Sequence, residues 1–206
     1  RIILKMNFYV FIIGGGVAGM QCALVLGSAS KKHYASDKKM GIIMHQKASH
    51  LQNALFNNVL GLPPETLGAD VLTVGKEQLT TLYPSITQIE NEKVIRISET
   101  TTGYEINTNK GRYHSTNVVV ALNYAKPFTI AGLEDYIAPH QRTMPAKDRI
   151  QLRNTNFLVK DGLYCCGTIA GLRSQFAIAA GSGASVATDI LTLWNNKQHT
   201  KVHDKV

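Results

Sequence analysis

The chain has 206 residues, of which 44% are hydrophobic and 17% are charged, and its formal net charge is +8. This length and composition indicate an ordinary folded protein of one domain or two small lobes, long enough to bury a sizeable core. The basic residues are dispersed and are not interleaved with aromatic residues, which argues against nucleic-acid binding; a solvated basic surface, or attraction to an acidic protein partner, accounts for the charge.

The N-terminal stretch Phe8–Gly27 has the pattern of an apolar strand, a glycine-rich turn and an apolar helix. Within it, residues 14–19 fit G-x-G-x-x-G at the point where the strand ends and the helix begins. In this motif Gly14 permits the tight turn, Gly16 lets the backbone approach a pyrophosphate, and Gly19 lets helix and strand pack closely. The phosphates bind the unpaired N–H groups at the helix N-terminus. We therefore predict a dinucleotide site here.

Two alternatives compete for the same stretch. Arg1 and Lys5 before the apolar run, with small residues after it, resemble a secretory signal peptide, and the run is also near the length of a membrane span. Three consecutive glycines and the polar pair Gln21-Cys22 fit neither alternative well. We therefore prefer the strand, turn and helix.

The next part of the chain predicts a second parallel strand and a second helix. The strand is the apolar run Gly41–His45, and the mixed segment Gln46–Asn58 follows it over the site. Proline and glycine in Gly61–Glu65 indicate a turn. The apolar spacing in Ala69–Leu82 predicts a helix that Pro84 ends.

Four short β-type runs follow, and we interpret them as a meander of antiparallel strands rather than another βαβ unit. They are Ile86–Ile89, Lys93–Ser98, Tyr104–Thr108 and Arg112–Ser115. The β-branched run Asn117–Leu122 is typical of a buried parallel strand. After a connection over Glu134–Arg149, a last short strand over Leu163–Cys166 leads to a helix over Ser174–Trp194, which is rich in small residues.

The cysteines indicate the redox environment. Cys22, Cys165 and Cys166 are an odd number with two adjacent members, so they form no disulfide framework. This pattern suits a reducing cytoplasm better than an oxidising compartment. We therefore predict a cytoplasmic protein.

Four segments match motifs of one known family in the family's order. They are IIGGGVAGMQCAL (12–24), NNVLGLPPETLGADVL (57–72), NVVVALNYAKPFTIAGLEDY (117–136) and DGLYCCGTIAGLRSQFAIAAGSGASVATDIL (161–191). On these segments the chain, from Tyr9 to Leu193, resembles the FAD-binding domain of thioredoxin reductase-like flavoproteins, in the pyridine nucleotide-disulfide oxidoreductase group. The resemblance implies an α/β fold: a Rossmann-like FAD-binding domain with a parallel sheet, helices and a small antiparallel β-meander, which binds FAD noncovalently.

The resemblance also implies which residues contact FAD. The predicted contacts are Gly14, Gly16, Val17, Ala18 and Gly19 at the pyrophosphate, Ala121 at a strand end, Asn58 near the isoalloxazine, Gly167 at the ribityl chain, and Gln175, Phe176 and Ala177 at the pyrimidine edge, together with His45, Gln46 and Thr168, which occupy family contact positions with different residues. A helix N-terminus at that edge stabilises negative charge on the reduced ring. The alternatives are that Gln175 is an exposed first-turn residue and that Asn58 forms a turn. Tyr124 and Arg173 lie near the same motifs, as flavin neighbours or as surface residues.

Three positions depart from the family pattern. His45 and Gln46 stand where an acidic residue is expected to bind the adenosine ribose. Leu122 and Asn123 follow Ala121 in place of the rest of an Ala-Thr-Gly signature, and Thr168 replaces an aspartate. Each loss removes a hydrogen-bond partner worth about 1–2 kcal/mol, so we expect a reduced affinity for FAD.

A larger departure is a missing piece. In the family an NAD(P)H-binding domain, on the order of 100 residues, is inserted after the position of Tyr136 and carries a redox-active C-x-x-C. Here a short connection over 137–149 joins 6–136 to 150–206, and the chain contains no second G-x-G-x-x-G and no C-x-x-C. We therefore expect a single FAD-binding domain over 1–206 that is not a conventional thioredoxin reductase.

Cys165 and Cys166 do not replace the dithiol, since successive strand residues point to opposite faces. We expect them to be buried structural cysteines, and a redox role is the alternative.

The sequence thus favours an FAD-dependent oxidoreductase that takes electrons from an external donor, with NAD(P)H, a ferredoxin or a flavodoxin as the candidates. No side chain stands out as an acid, base or nucleophile. One alternative is a noncatalytic module that binds FAD or another adenine nucleotide; another is an NAD-dependent dehydrogenase, which leaves the C-terminal motif without a purpose. We expect no metal site and no membrane association, and a homodimer that covers the surface left by the missing domain is a hypothesis.

Overall fold

A sheet of mostly parallel strands lies at the centre of the protein. The structure, a computed structural model, describes residues 6–45 and 49–203. In the described residues the strands are β1 (Met6–Ile13), β2 (Met40–Met44), β3 (Leu55–Phe56), β4 (Thr66–Leu67), β5 (Ile86–Glu90), β6 (Val94–Thr100), β7 (Gly103–Thr108), β8 (Arg112–Val120), β9 (Ile137–Pro139), β10 (Ile150–Leu152), β11 (Leu158–Lys160) and β12 (Leu163–Cys165). The α-helices are α1 (Val17–Ser28), α2 (Gly68–Leu82) and α3 (Phe176–Trp194).

The strand order explains where a ligand can bind. Five neighbouring strands run parallel in the order β12, β8, β1, β2 and β5, and β11 adds to the β12 edge in the antiparallel sense. The chain builds β1, α1, β2, α2 and β5 to one side of β1 and then returns to place β8 on the other side. The order therefore reverses between β1 and β8, and parallel α/β sheets bind ligands at the carboxyl ends of the strands beside such a reversal.

The two faces of the sheet bury separate cores, because successive strand residues point to opposite sides. Val10 and Ile12 of β1 belong to a cluster with residues of α1, α2 and α3. Phe11 and Ile13 belong to a second cluster with residues of the antiparallel strands β6 and β7. The protein therefore has three layers: helices, parallel sheet and antiparallel strands.

Helices α1 and α3 approach closely because small residues face each other. A Cβ atom added at Gly183 of α3 would lie 2.0 Å from the carbonyl oxygen of Ala18 in α1. At Gly181, two residues earlier, none of the neighbouring residues that the structure describes lies within 4 Å of an added Cβ. The close approach thus depends on the face of α3 that carries Gly183.

We expect Gly183→Ala to lower the free energy of unfolding by about 1–3 kcal/mol, because its Cβ meets backbone that cannot easily move. Gly181→Ala is the matched control on the same helix, and we expect it to raise stability by about 0.5–1 kcal/mol through helix propensity alone. Urea denaturation followed by circular dichroism measures both. Equal stabilities for the two variants would contradict this packing.

Three expectations about the strands need correction. Ile86–Ile89 is not part of an antiparallel meander, since β5 pairs in parallel with β2 after the crossover through α2. Arg112–Ser115 and Asn117–Leu122 are one strand, β8, whose first half pairs antiparallel with β7 while its whole length pairs in parallel with β1. The antiparallel meander is therefore β6, β7 and the start of β8.

The expected connection over Glu134–Arg149 contains a strand as well. β9 pairs antiparallel with β10, with Ile137 opposite Leu152 and Pro139 opposite Ile150. Residues 140–149, which we name the closing segment, join the far ends of this two-stranded ribbon. β9 and the closing segment together span residues 137–149, the short connection that was predicted between 6–136 and 150–206.

Apolar length alone does not distinguish a membrane span from a core helix. By length and composition α3 is apolar and long enough to cross a membrane, whereas α1 is shorter. In this structure Ser182, Gly183, Val186 and Ile190 of α3 are buried. The N-terminal stretch that resembled a signal peptide forms the central strand β1 and the core helix α1.

Candidate functional site

A cleft of about 720 Å³ lies across the carboxyl ends of the parallel strands. It extends past the point where the strand order reverses, and its volume is in the range of cofactor sites. Each of the five parallel strands contributes residues to the walls or rim, either from its carboxyl end or from the positions just after it. Among the lining residues are Gly167 after β12, Ala121 after β8, Gly14 after β1, His45 after β2 and Glu92 after β5.

The glycine turn between β1 and α1 forms the floor of the cleft. Gly14 has a φ of +117°, and an added Cβ would lie 2.2 Å from the carbonyl oxygen of Ala121, so only glycine fits there. An added Cβ at Gly19 would lie 1.9 Å from the carbonyl oxygen of Gly14, so Gly19 allows the helix to pack on the turn. At Gly16 the nearest atoms in the described part of the chain, from Leu51 and Ser49, are 3.9 Å from an added Cβ. Gly16 therefore presents bare backbone to the cleft.

Two helices begin at this cleft. Gly16 is the N-cap of α1 and Gln175 is the N-cap of α3, and neither cap makes a side-chain hydrogen bond to the helix. The first turns of both helices lack acidic residues. The first-turn N–H groups, which have no partner within their own helix, and the positive ends of the helix dipoles therefore favour a ligand with negative charge.

A small polar network holds the turn after β12. Gly167 has a φ of +78°, and its N–H donates to the Ser182 hydroxyl at 2.8 Å, which in turn donates to the carbonyl oxygen of Ala179 at 2.7 Å. His140 in the closing segment is buried, and its Nε2 lies 3.0 Å from the carbonyl oxygen of Thr168. Thr168 lines the cleft and is held there through its backbone carbonyl.

Aromatic rings border the end of the cleft that lies beside β12 and the start of α3. The ring of Tyr124 lies 5.3 Å from that of His140 and 6.2 Å from that of His50, and His50 lines the cleft. The Arg149 guanidinium lies over the Tyr124 ring at 5.1 Å. Phe56 of β3 meets Phe176 of α3 with 5.1 Å between ring centroids, and both residues line the cleft. A planar ligand at this end would lie among aromatic and apolar walls.

The opposite end of the cleft lies beyond β2 and β5. Met44 pairs with Glu90 in the parallel register, which places residues 91–93 beside His45. The Glu92 side chain is 8% exposed, and both its oxygens lie 3.0 Å from the hydroxyl of Tyr113. Burial, together with the hydrogen bond to Glu92, raises the pKa of Tyr113 to about 12. Tyr113 is therefore a neutral donor to this carboxylate at ordinary pH.

The structure brings most of the predicted FAD contacts together. Those that line the cleft are Gly14, Gly16, Val17, Ala18, His45, Asn58, Ala121, Gly167, Thr168, Gln175 and Phe176. Gly19 and Ala177 are not in the lining, Gly19 because it packs beneath the turn. Gln46 lies outside the described residues. Whether these residues contact FAD stays a prediction.

Sequence reasoning missed several lining residues. The most notable are Ser49, His50, Leu51, Phe56, Glu92 and Phe128. The first four of these residues lie in the segment Gln46–Asn58, which was predicted to lie over the site. Glu92 had none, because its position depends on the parallel pairing of β5 with β2, which was wrongly expected to be antiparallel.

The three cysteines are free and fully buried. Burial raises the pKa of the Cys165 thiol to about 12 and raises the pKa values of Cys22 and Cys166 as well. Neutral thiols in an apolar core are poor nucleophiles. In the described residues, moreover, no group of three or more His, Cys, Asp or Glu residues could hold a metal ion.

The parallel sheet, the glycine turn and the antiparallel layer define a Rossmann-like α/β protein with a dinucleotide-binding fold. The sequence pattern of the pyridine nucleotide-disulphide oxidoreductase family matches residues 8–182. The chain therefore belongs to this family, as its motifs implied. No curated protein matches the sequence.

Solved thioredoxin reductases share the fold at low sequence identity. The structure from Gloeobacter violaceus is 14% identical, with a TM-score of 0.71 over 98% of this chain and 99% of that chain. An atypical thioredoxin reductase, TRi, from Desulfovibrio vulgaris Hildenborough is 11% identical, with a TM-score of 0.69 over 91% and 98%. A ferredoxin-flavin thioredoxin reductase from Clostridium acetobutylicum is 15% identical, with a TM-score of 0.67 over 93% and 99%. The predicted fold class is thereby confirmed.

Proposed function

We propose that this chain binds FAD noncovalently in the cleft and is an oxidoreductase that receives electrons from an external donor. The main support is the order of the lining residues along the sheet. Gly14 and Gly16 lie in the middle, His45 and Glu92 at one end, and Gly167 and Gln175 at the other. A dinucleotide has the same order, with its pyrophosphate between the adenosine and the second ring system.

The residues present fit the cofactor. In front of Gly16 the nearest atoms of the described residues lie 3.9 Å from an added Cβ, which leaves room for a pyrophosphate against the backbone. The first turn of α1 would bind the phosphates, and the first turn of α3 would bind the electron-rich edge of the ring through its N–H groups. Thr168 would supply a hydroxyl where the family has a carboxylate.

Bound flavin would supply the redox chemistry, since its ring accepts and returns electrons. The chain itself would bind and orient the ring and keep water from part of it. The wall formed by Phe56 and Phe176 would exclude water, and the N-terminus of α3 would stabilise the negative charge of the reduced ring. These roles require no titrating side chain in the cleft.

The donor would reach the flavin end from outside, near the closing segment. Arg142 and Lys147 in this segment and Arg173 before α3 are exposed, whereas Asp148 forms an ion pair with Lys126 at 2.5 Å. The excess of positive charge favours an anionic donor, and NAD(P)H, a ferredoxin and a flavodoxin all carry negative charge.

A noncatalytic module that binds FAD or another adenine nucleotide is the second candidate. The observation in its favour is that Thr168 and His45 stand at the cleft in place of carboxylates, so two polar contacts of the family are altered. Binding without reduction by any donor would identify this function.

The visible absorption spectrum of the purified protein tests the proposal. We expect a flavin spectrum, release of FAD on denaturation, and bleaching when NADPH or reduced ferredoxin is added without oxygen. Protein that is colourless as purified should take up added FAD. A protein that neither contains nor takes up FAD would overturn the proposed function, and bound FAD that no donor reduces would leave the noncatalytic module.

A further inference from the structure

We propose that Glu92 recognises the adenine base, by accepting a hydrogen bond from its exocyclic amino group. This inference rests on the proposed function, because it assigns the Glu92 end of the cleft to the adenosine half of the ligand. In folds of this type the adenosine ribose lies at the end of the second parallel strand. Here that strand is β2, and residues 91–93 lie beside its end because Met44 pairs with Glu90.

The surroundings of Glu92 are unusual for a carboxylate. The side chain is 8% exposed and lines the cleft, yet no ion pair among the described residues includes it. Within residues 6–45 and 49–203, its donors are the hydroxyls of Thr108 and Tyr113. Burial of a carboxylate with neutral donors only is unfavourable unless further donors complete its shell.

One oxygen of Glu92 has capacity for such a donor. Oε1 accepts from both hydroxyls, whereas Oε2 accepts only from the Tyr113 hydroxyl, which it shares with Oε1. An ionised carboxylate offers about four acceptor sites, so Oε2 retains at least one. The two hydroxyls fix the carboxylate in place, as recognition of one base edge requires.

The group at position 6 of the purine ring decides which nucleotide a carboxylate at this place would bind. Adenine carries an amino group at position 6, which donates to a carboxylate. Hypoxanthine carries a carbonyl oxygen at position 6, which repels a carboxylate held opposite that position; its N1–H donor lies one ring position away, where a carboxylate fixed by two hydroxyls does not point. A site built to pair with a donor rejects analogues that lack it, because its own buried polar group then loses a partner.

The matched ligands ADP and IDP, which differ at this edge, test the inference through competition with FAD measured by flavin fluorescence. For the wild-type protein we expect ADP to bind about tenfold to a hundredfold more tightly than IDP. Glu92→Gln should reduce this ratio by about tenfold, since its amide can turn an N–H towards the carbonyl oxygen of IDP. Glu90→Gln is the matched control, because Glu90 pairs with Lys76 outside the cleft and should leave the ratio unchanged.

The outcomes separate the inference from the proposed function. Wild-type protein that binds ADP and IDP equally overturns the inference and needs no variant. An unchanged ratio of ADP to IDP affinity in Glu92→Gln overturns it too, even if both affinities fall. That result would mean that Glu92 only stabilises the turn at Thr108. Failure of FAD and ADP to bind the wild-type protein overturns the proposed function itself.

Discussion

Gly16→Val should lower the affinity for FAD by about a hundredfold, because the side chain fills the space where the pyrophosphate meets the backbone. Loss of two hydrogen bonds to a charged phosphate, each at about 1.5 kcal/mol, the lower end of the range for charged partners, costs about 3 kcal/mol together and gives an effect of this size. The fold should tolerate the change. Gly16 has a φ of −79° and a ψ of −171°, which suit any residue, and the nearest described atoms to an added Cβ, from Leu51 and Ser49, lie 3.9 Å away. We expect the variant to lose only about 1 kcal/mol of stability at the helix cap.

Gly19→Ala is the informative contrast. Its Cβ would lie 1.9 Å from the carbonyl oxygen of Gly14, so the turn and the helix would have to separate. We expect this variant to lose stability and binding together, whereas Gly16→Val loses binding alone. FAD titration and urea denaturation of both variants make the comparison. Tight FAD binding by Gly16→Val would contradict the placement of the pyrophosphate.

The thiols should resist alkylation in the folded protein by about a thousandfold relative to an ordinary cysteine. Burial raises the pKa of Cys165 to about 12, so the thiolate is a very small fraction of that thiol at pH 8. Labelling with N-ethylmaleimide, read by mass spectrometry, measures the rate, and all three cysteines should react once urea unfolds the chain. Ser36→Cys provides an exposed thiol as the control. Rapid labelling of Cys165 or Cys166 in the folded protein would instead favour a redox role.

The same burial predicts how stability changes at alkaline pH. The Cys165 pKa rises from 9.0 to about 12 on folding, and the Tyr104 and Tyr113 pKa values rise from 10.0 to about 12. Between these limits the unfolded chain releases protons that the folded chain keeps. Their contribution to stability is therefore complete below pH 9 and is lost as the pH rises towards 12. Thermal unfolding across this range should show a falling midpoint.

Local sequence signals predicted the elements whose structure depends on local chemistry. The glycine spacing predicted the turn between β1 and α1, and the apolar spacing before Pro84 predicted α2 to within one residue. These elements are set by backbone sterics and by helical periodicity. The family motifs then predicted the fold class, which the sequence match and the solved structures confirm.

The errors concern which strands pair. The alternation in Ile86–Ile89 indicates a strand, but it carries no information on whether the partner is parallel β2 or an antiparallel neighbour. Because of this error, the sequence analysis did not predict that Glu92 lies beside His45 at the site. The ribbon of β9 and β10 was missed for a similar reason, since strands of three residues leave too short a pattern to detect.

The ribbon has a consequence for the architecture of such proteins. Pro139 and Ile150 lie opposite each other, so the chain leaves the sheet region and returns to it at a single point. Residues can therefore be inserted or deleted between Pro139 and Ile150 without moving any strand of the sheet. A folded module inserted in place of the closing segment would be joined to the protein by two adjacent strands beside the cleft. Evolutionary loss of a module here would leave a protein much like this one.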